Sequence, residues 1–243
     1  MLKALIFDCD GVLVDTERDA HRVGFNRAFA EFGIDAEWSV ERYAELLKVA
    51  GGKERMTAYF DEDGWPEDKV AEHGGKDELI KALHKYKTDQ VSQIVTDLPL
   101  RPGVLRIVDE AIANDVRIGV CTTSNAKFID AVLDLMGEER KAKFEFVHAG
   151  DVVSKKKPDP EIYQLATKSL GLPQSECVVI EDSRNGLLAA VGAGYPVLIT
   201  TSTYTVEEDF TEAARVVPEL GDAPSPEVTL ADLSALTDAG ANN

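Results

Sequence analysis

Asp8 and Asp10 stand two positions apart at the close of an apolar run, Leu5-Ile6-Phe7-Asp8-Cys9-Asp10-Gly11-Val12. In an extended segment residues i and i+2 point the same way, so both carboxylates can face one site. Two unpaired carboxylates that close repel each other, and a divalent cation with a phosphate is the usual reason to hold them together. On these residues alone a strand end with two solvated acids at a turn fits equally well. Three later segments bear on the choice. Thr122, Thr123, Ser124 and Asn125 follow the apolar run Val116–Cys121 and precede a helical pattern starting near Lys127. Hydroxyls and backbone N–H groups there can cradle a phosphate, or simply cap the helix. Ser154-Lys155-Lys156-Lys157-Pro158-Asp159-Pro160 is a basic run in an acidic chain. It is either a solvated face or the source of a lysine that offsets Asp8 and a bound phosphoryl group. Val178-Val179-Ile180 empties onto Glu181 and Asp182, repeating the opening pattern. Oxygen ligands at several strand ends suit a hard cation such as Mg²⁺.

The elements that must position these groups follow from periodicity. From residue 99 onward, expected strands Val116–Cys121, Phe144–Ala149, Cys177–Ile180 and Pro196–Thr200 alternate with expected helices Val104–Ala113, Lys127–Met136, Pro160–Leu170 and Gly186–Ala193. Repeated βα units predict an α/β fold: a Rossmann-like, mostly parallel sheet covered by helices. Such sheets bind ligands at the carboxyl ends of their strands. Residues 17–98 break the rhythm, with helical patterns at Asp19–Phe32, Val40–Val49, Lys53–Phe60 and Asp77–Val95. The expected organisation is a core of residues 1–16 and 99–243 with an inserted helical domain over 17–98, the second joint stiffened by Pro99 and Pro102. A short helix is expected near Thr229–Leu236.

The 243 residues suffice for a full hydrophobic core. A formal charge of −18 argues against nucleic acid or an anionic membrane as partner. A phosphate site must therefore be made positive locally. No apolar run nears the roughly 20 residues of a membrane span, and Met1-Leu2-Lys3-Ala4 enters a strand with no apolar leader. Cys9, Cys121 and Cys177 match no zinc spacing and are expected as reduced core residues.

Taken in order, Asp8-Cys9-Asp10-Gly11, Thr122, Lys157-Pro158 and Glu181-Asp182 resemble the four motifs of the haloacid dehalogenase superfamily, and the helical insertion resembles its small cap. The resemblance implies Asp8 as a nucleophile forming an aspartyl-phosphate, and Asp10 as acid to the leaving oxygen and then base to water. Thr122 would bond the phosphoryl group and Lys157 would steady its charge. Mg²⁺ would sit on Asp8, the Asp10 backbone carbonyl and one or both of Glu181 and Asp182. A carboxylate nucleophile divides a hard hydrolysis into two easier steps. Asp10 sets the chain apart from the dehalogenases and phosphonate hydrolases, which lack a carboxylate there; that also discounts Lys53 as a Schiff-base lysine.

Within the superfamily, Thr16-Glu17, Tyr43, Gly51-Gly52-Lys53-Glu54-Arg55 and Lys87-Thr88 are similar to the CbbY-type sugar-phosphate phosphatases. Those act in carbon fixation on xylulose 1,5-bisphosphate. The resemblance implies that Glu17 binds sugar hydroxyls, and that Lys53 and Arg55 grip a second phosphate from a connecting turn opened by Gly51 and Gly52. On spacing alone that turn is equally two solvated cations. His21 falls one residue later than the family histidine, as though residues 18–20 carry an insertion. β-Phosphoglucomutase shares the core motifs and a glycine, arginine and lysine comparable to Gly52, Arg55 and Lys87, so phosphotransfer on hexose phosphates is the alternative. A phosphate-sensing domain on the same fold would have lost Asp8, Asp10 or Lys157. The expectation is a monomeric, Mg²⁺-dependent phosphatase of small phosphorylated sugars, in cytosol or chloroplast stroma.

Overall fold

The structure is a computed structural model and describes residues 1–49 and 52–239. Gly51, expected at the substrate, lies outside the described residues. The chain divides into two compact units: Met1–Asp15 with the residues from Leu98 onward, and Thr16–Asp97.

The first unit is built on six strands: β1 Ala4–Phe7, β2 Arg117–Thr122, β3 Phe144–Ala149, β4 Cys177–Glu181, β5 Val197–Thr200 and β6 Arg215–Val217. They form one sheet in the order β3-β2-β1-β4-β5-β6, and every neighbouring pair is parallel. β1, β4 and β5 are buried at every residue. This is why they read as unbroken apolar runs: helices cover both faces of a parallel sheet. β3 lies at an edge and alternates in exposure. Helices Val104–Ala113, Ala126–Asp134, Glu161–Leu170 and Arg184–Gly192 run between strands, each with a buried apolar face. Two further elements, β6 and the short helix Glu138–Lys141, were not foreshadowed by periodicity.

Strand register places the site. Phe7 pairs with Val120 on one side and Ile180 on the other. Asp8 thus emerges beside Cys121 and Glu181. β1 ends at Phe7, short of the extended stretch through Val12 that the sequence suggested. The chain turns instead, with the amides of Val12 and Leu13 donating to the Cys9 carbonyl at 3.3 and 2.9 Å. Gly11 takes φ +79°, a left-handed conformation that glycine adopts without penalty.

The second unit is helical: Arg22–Glu31, Val40–Leu46, Gly52–Asp63, Glu67–His73 and Lys76–Ile94. Phe25, Phe29, Trp38, Tyr43 and Phe60 form its buried aromatic centre. Arg22–Glu31 packs tightly on Lys76–Ile94, where a Cβ on Gly24 would fall 2.8 Å from Val91 Cγ2. Residues Glu17–His21 form a π-helical turn, closed by the Arg22 amide on the Glu17 carbonyl. Among the described residues no helix is long and apolar enough to cross a membrane.

Candidate active site

Asp8 is the centre of the first unit's polar cluster. Lys157 Nζ donates to Asp8 Oδ1 and Glu181 Oε1, both at 2.6 Å, and to the Cys121 carbonyl at 3.0 Å. The ammonium also lies 5.1 Å from the Tyr163 ring centroid. Asp8, Glu181 and Asp182 are all buried, and each offers a carboxylate oxygen within 4.8 Å of the others. Burial, with Glu181 and Asp10 adding and Lys157 pulling the other way, lifts the Asp8 carboxyl to about 8. Burial, with Glu181 and Asp8 adding, holds Asp182 well above the usual carboxylate range. For Lys157 burial acts downward, but Asp8 and Glu181 win and keep the amine charged. Three buried carboxylates thus face a single ammonium, and the donor set is oxygen only. Both features fit a hard divalent cation.

Glu181 and Asp182 differ in how far they are committed. Glu181 Oε1 accepts from Lys157 and from the Tyr163 hydroxyl at 2.7 Å, and Oε2 from the Asp182 amide at 3.0 Å and Ser183 Oγ at 3.4 Å. Gly186 closes over it, since a Cβ there would lie 1.9 Å from Glu181 Cδ. Asp182 is bonded by the Ser202 hydroxyl. A Cβ on Gly11 would come within 1.9 Å of Asp182 Oδ2, so glycine is required for the turn to pass.

Asp10 sits in that turn, bridged to Val14. Ser124 Oγ donates to Asp10 Oδ2 at 2.6 Å, with Thr122 Oγ1 at 3.3 Å. Thr122 is fully buried and accepts from the Ser124 amide at 3.1 Å. Asn125 caps the helix Ala126–Asp134, its Oδ1 accepting from the Phe128 amide at 2.9 Å. Thr123 is exposed. Burial pushes the Cys9 thiol well up, with Asp10 and Asp8 adding, so it stays protonated. All three cysteines are free and buried.

The second unit holds its own polar cluster. Tyr43 donates to Glu17 Oε2 at 2.6 Å and receives a bond from Arg55 Nη1 at 2.8 Å. Arg55 Nε donates to the Leu46 carbonyl at 3.2 Å. Lys87 Nζ and His21 Nδ1 are 2.8 Å apart. Burial alone would lift Glu17, but His21, the Tyr43 hydroxyl, Arg55 and Lys87 hold it below the usual carboxylate range. Burial brings Lys87 down to about 8, with Glu17 opposing and Arg55 adding. Gly52 to Arg55 form the first turn of the helix Gly52–Asp63, one residue ahead of the helical pattern expected from Lys53, so Lys53 and Arg55 stand on that helix and not on a connecting turn. Residues two apart on a helix project about 200° apart. Accordingly Arg55 is buried in the cluster while Lys53 is exposed. A Cβ on Gly52 would sit 3.2 Å from the His84 ring.

Three residues without a motif enter this description: Tyr163, Ser202 and His84. The only sequence signal for Tyr163 is its place six residues after Lys157. The other two are recognisable only from their contacts.

A buried carboxylate gripped by an ammonium, beside a second aspartate fixed by hydroxyls and an all-oxygen carboxylate cluster that could hold a cation, is equipment for phosphoryl transfer to a carboxylate. The protein is an enzyme of the phosphatase class. A family model described as haloacid dehalogenase-like hydrolase matches residues 2–194. A CBBY-like protein of Arabidopsis thaliana is 50% identical over 236 residues, covering 96% of this chain and 74% of that protein. Protein CbbY of Rhodobacter capsulatus is 40% identical over 225 residues, covering 91% and 95%. Among solved structures, a mutant CbbY from Rhodobacter sphaeroides in complex with xylulose-(1,5)bisphosphate aligns with TM-score 0.75 and 34% identity, covering 96% of this chain and all of that one. The chain belongs to the haloacid dehalogenase-like hydrolases, among their CbbY-like members.

Proposed function

We propose that this enzyme removes one phosphate from a sugar bisphosphate of the xylulose 1,5-bisphosphate kind through an aspartyl-phosphate on Asp8. The observation that carries the reading is the Lys157 ammonium held 2.6 Å from both Asp8 and Glu181, which fixes one Asp8 oxygen and leaves the other for attack. Asp8 forms the new bond to phosphorus while the sugar oxygen departs. Asp10, aimed by Ser124 and Thr122, gives that oxygen its proton. In the second half Asp10 takes a proton from water, which attacks the aspartyl-phosphate and frees phosphate and Asp8. Asp8, Asp182 and the Asp10 backbone carbonyl would hold Mg²⁺, with Glu181 chiefly orienting Lys157. Mg²⁺ would supply charge neutralisation between the phosphate and its nucleophile. Thr122 and the amides of residues 123–125 would bond the phosphoryl oxygens.

Substrate choice falls to the second unit, residues 17–98 in this reading its cap. Arg55, Lys87 and Lys53 supply the cations for a second phosphate, and Glu17 and His21 the partners for sugar hydroxyls. The bisphosphate bound in the R. sphaeroides relative supports this choice.

The test is phosphate release from xylulose 1,5-bisphosphate with Mg²⁺, run beside conversion of β-glucose 1-phosphate to glucose 6-phosphate primed with the 1,6-bisphosphate. Fast release without isomerisation is expected; isomerisation without net release would make the enzyme a phosphotransferase. Asp8→Asn should lower turnover below detection while the protein stays folded. Near-normal turnover in that variant would exclude the covalent route.

A further inference from the structure

Arg101 belongs to no motif, yet its side chain joins three separated stretches of the first unit. Nη1 donates to the Gly11 carbonyl and, at 3.2 and 3.3 Å, to the Thr200 carbonyl and hydroxyl. Nη2 donates to the Thr201 and Pro218 carbonyls at 2.7 and 2.8 Å. Its backbone amide donates to the Leu13 carbonyl at 2.9 Å. A planar fork of donors can serve acceptors in several directions at once, which a lysine ammonium on a flexible stem does not reproduce.

Two of those stretches carry the site. Gly11 follows Asp10 directly, and its amide closes the turn on the Val14 carbonyl at 2.7 Å. With that amide and the Gly11 carbonyl both tied, the peptide planes on either side of Gly11 have one orientation. The Asp10 side chain is then delivered to Ser124 Oγ at 2.6 Å. Thr200 and Thr201 lead into Ser202, the hydroxyl partner of Asp182. Arg101 therefore sets the loop after β1 against the loop after β5.

We propose that Arg101 is a positioning residue for the reaction, holding Asp10 through the Gly11 carbonyl in the place from which it protonates the leaving oxygen. This rests on the acid role given to Asp10 above. Misplacing a general acid is felt in proportion to how much the leaving group needs a proton. A sugar alkoxide needs one, and p-nitrophenolate barely does. The quantity kcat/KM covers only the steps up to leaving-group departure, so the second half-reaction does not confuse it. The ratio of kcat/KM for the sugar bisphosphate to that for p-nitrophenyl phosphate is also independent of how much of a variant is folded.

Arg101→Lys should lower that ratio by about tenfold or more. Arg106→Lys is the control. Arg106 binds the Leu220, Gly221 and Val228 carbonyls, a comparable bridge unconnected with Asp10, and its loss should leave the ratio unchanged. Arg101→Gln provides a second variant should the lysine form not fold. An unchanged ratio, or equal losses on both substrates, would overturn the proposal, as would loss of the fold in both variants, since Arg101 would then be purely structural. Asp10→Asn, assayed alongside, separates the two levels. If its ratio collapses while that of Arg101→Lys does not, Asp10 is the acid and Arg101 does not position it. If its ratio holds, the acid role itself is wrong and the inference falls with it.

Discussion

Lys87 is a buried amine brought down to about 8, first by burial, in a cluster that contains Glu17, Arg55 and His21. If its charge grips a phosphate, binding should weaken as that charge is lost. From pH 7 to pH 9 the protonated fraction of a group titrating at 8 falls about tenfold. KM for the bisphosphate should rise by up to that factor over the interval, while KM for p-nitrophenyl phosphate stays flat. Lys87→Met should start with a high KM and lose the pH dependence; a wild-type profile flat through pH 9 would remove Lys87 from binding. The stability sign is separate. The folded value lies below the ordinary 10.5 of lysine, so between about 8 and 10.5 the unfolded chain holds the extra proton and the Lys87 contribution improves with pH. Below 8 its full cost is present. The residues of the core site were legible because acids at the end of an apolar strand are conspicuous. Tyr163, Ser202 and Arg101 were not, because each works through partners far along the chain and has no local pattern of its own.

Glycine in a helix interior is ordinarily a weakness, and Gly→Ala gains about 1 kcal/mol. Gly186, within the helix Arg184–Gly192, should show the reverse. A Cβ there would meet both Glu181 carboxylate oxygens at 2.0 Å, and neither Lys157 nor Tyr163 lets that carboxylate retreat. Gly186→Ala should lose about 1–3 kcal/mol in urea unfolding; a gain would mean the carboxylate is loosely held. The π turn at Glu17–His21 is the second test at this scale. The sequence showed His21 one place late, and a π turn is how a helix absorbs one extra residue, commonly at functional sites. Deleting Asp19 should let the turn relax to an α-helical one and restore the family spacing between Glu17 and the histidine, so the ratio of bisphosphate to p-nitrophenyl phosphate activity should hold within about threefold. A selective loss of about tenfold or more on the bisphosphate would mean that the π turn itself sets the Glu17–His21 geometry. Most elements were legible from periodicity, with ends displaced by a few residues. Glu67–His73 was missed because it buries none of its residues and so leaves no apolar stripe. β6 was missed because a three-residue edge strand is too short to show a period.

Charge separates local from global at the scale of the whole molecule. The chain carries 26 Lys and Arg against 44 Asp and Glu, a formal −18, and its proposed substrate is strongly anionic. In the proposed reading the answer is local, through Lys157 of the first unit and Arg55 and Lys87 of the second, all with buried side chains and therefore poorly screened by salt. The repulsion comes largely from exposed carboxylates, which are screened over a Debye length of about 10 Å at 0.1 M salt. Added salt should thus remove more of the repulsion than of the attraction. With Mg²⁺ saturating, kcat/KM for the bisphosphate should rise about threefold between 10 and 150 mM potassium chloride. The rise should be smaller for p-nitrophenyl phosphate, which carries less charge. A steady fall with salt for both substrates would mean that exposed cations, Lys53 foremost, do the capturing, and would shift the second-phosphate role from the buried Arg55 and Lys87 to the open face of the helix Gly52–Asp63.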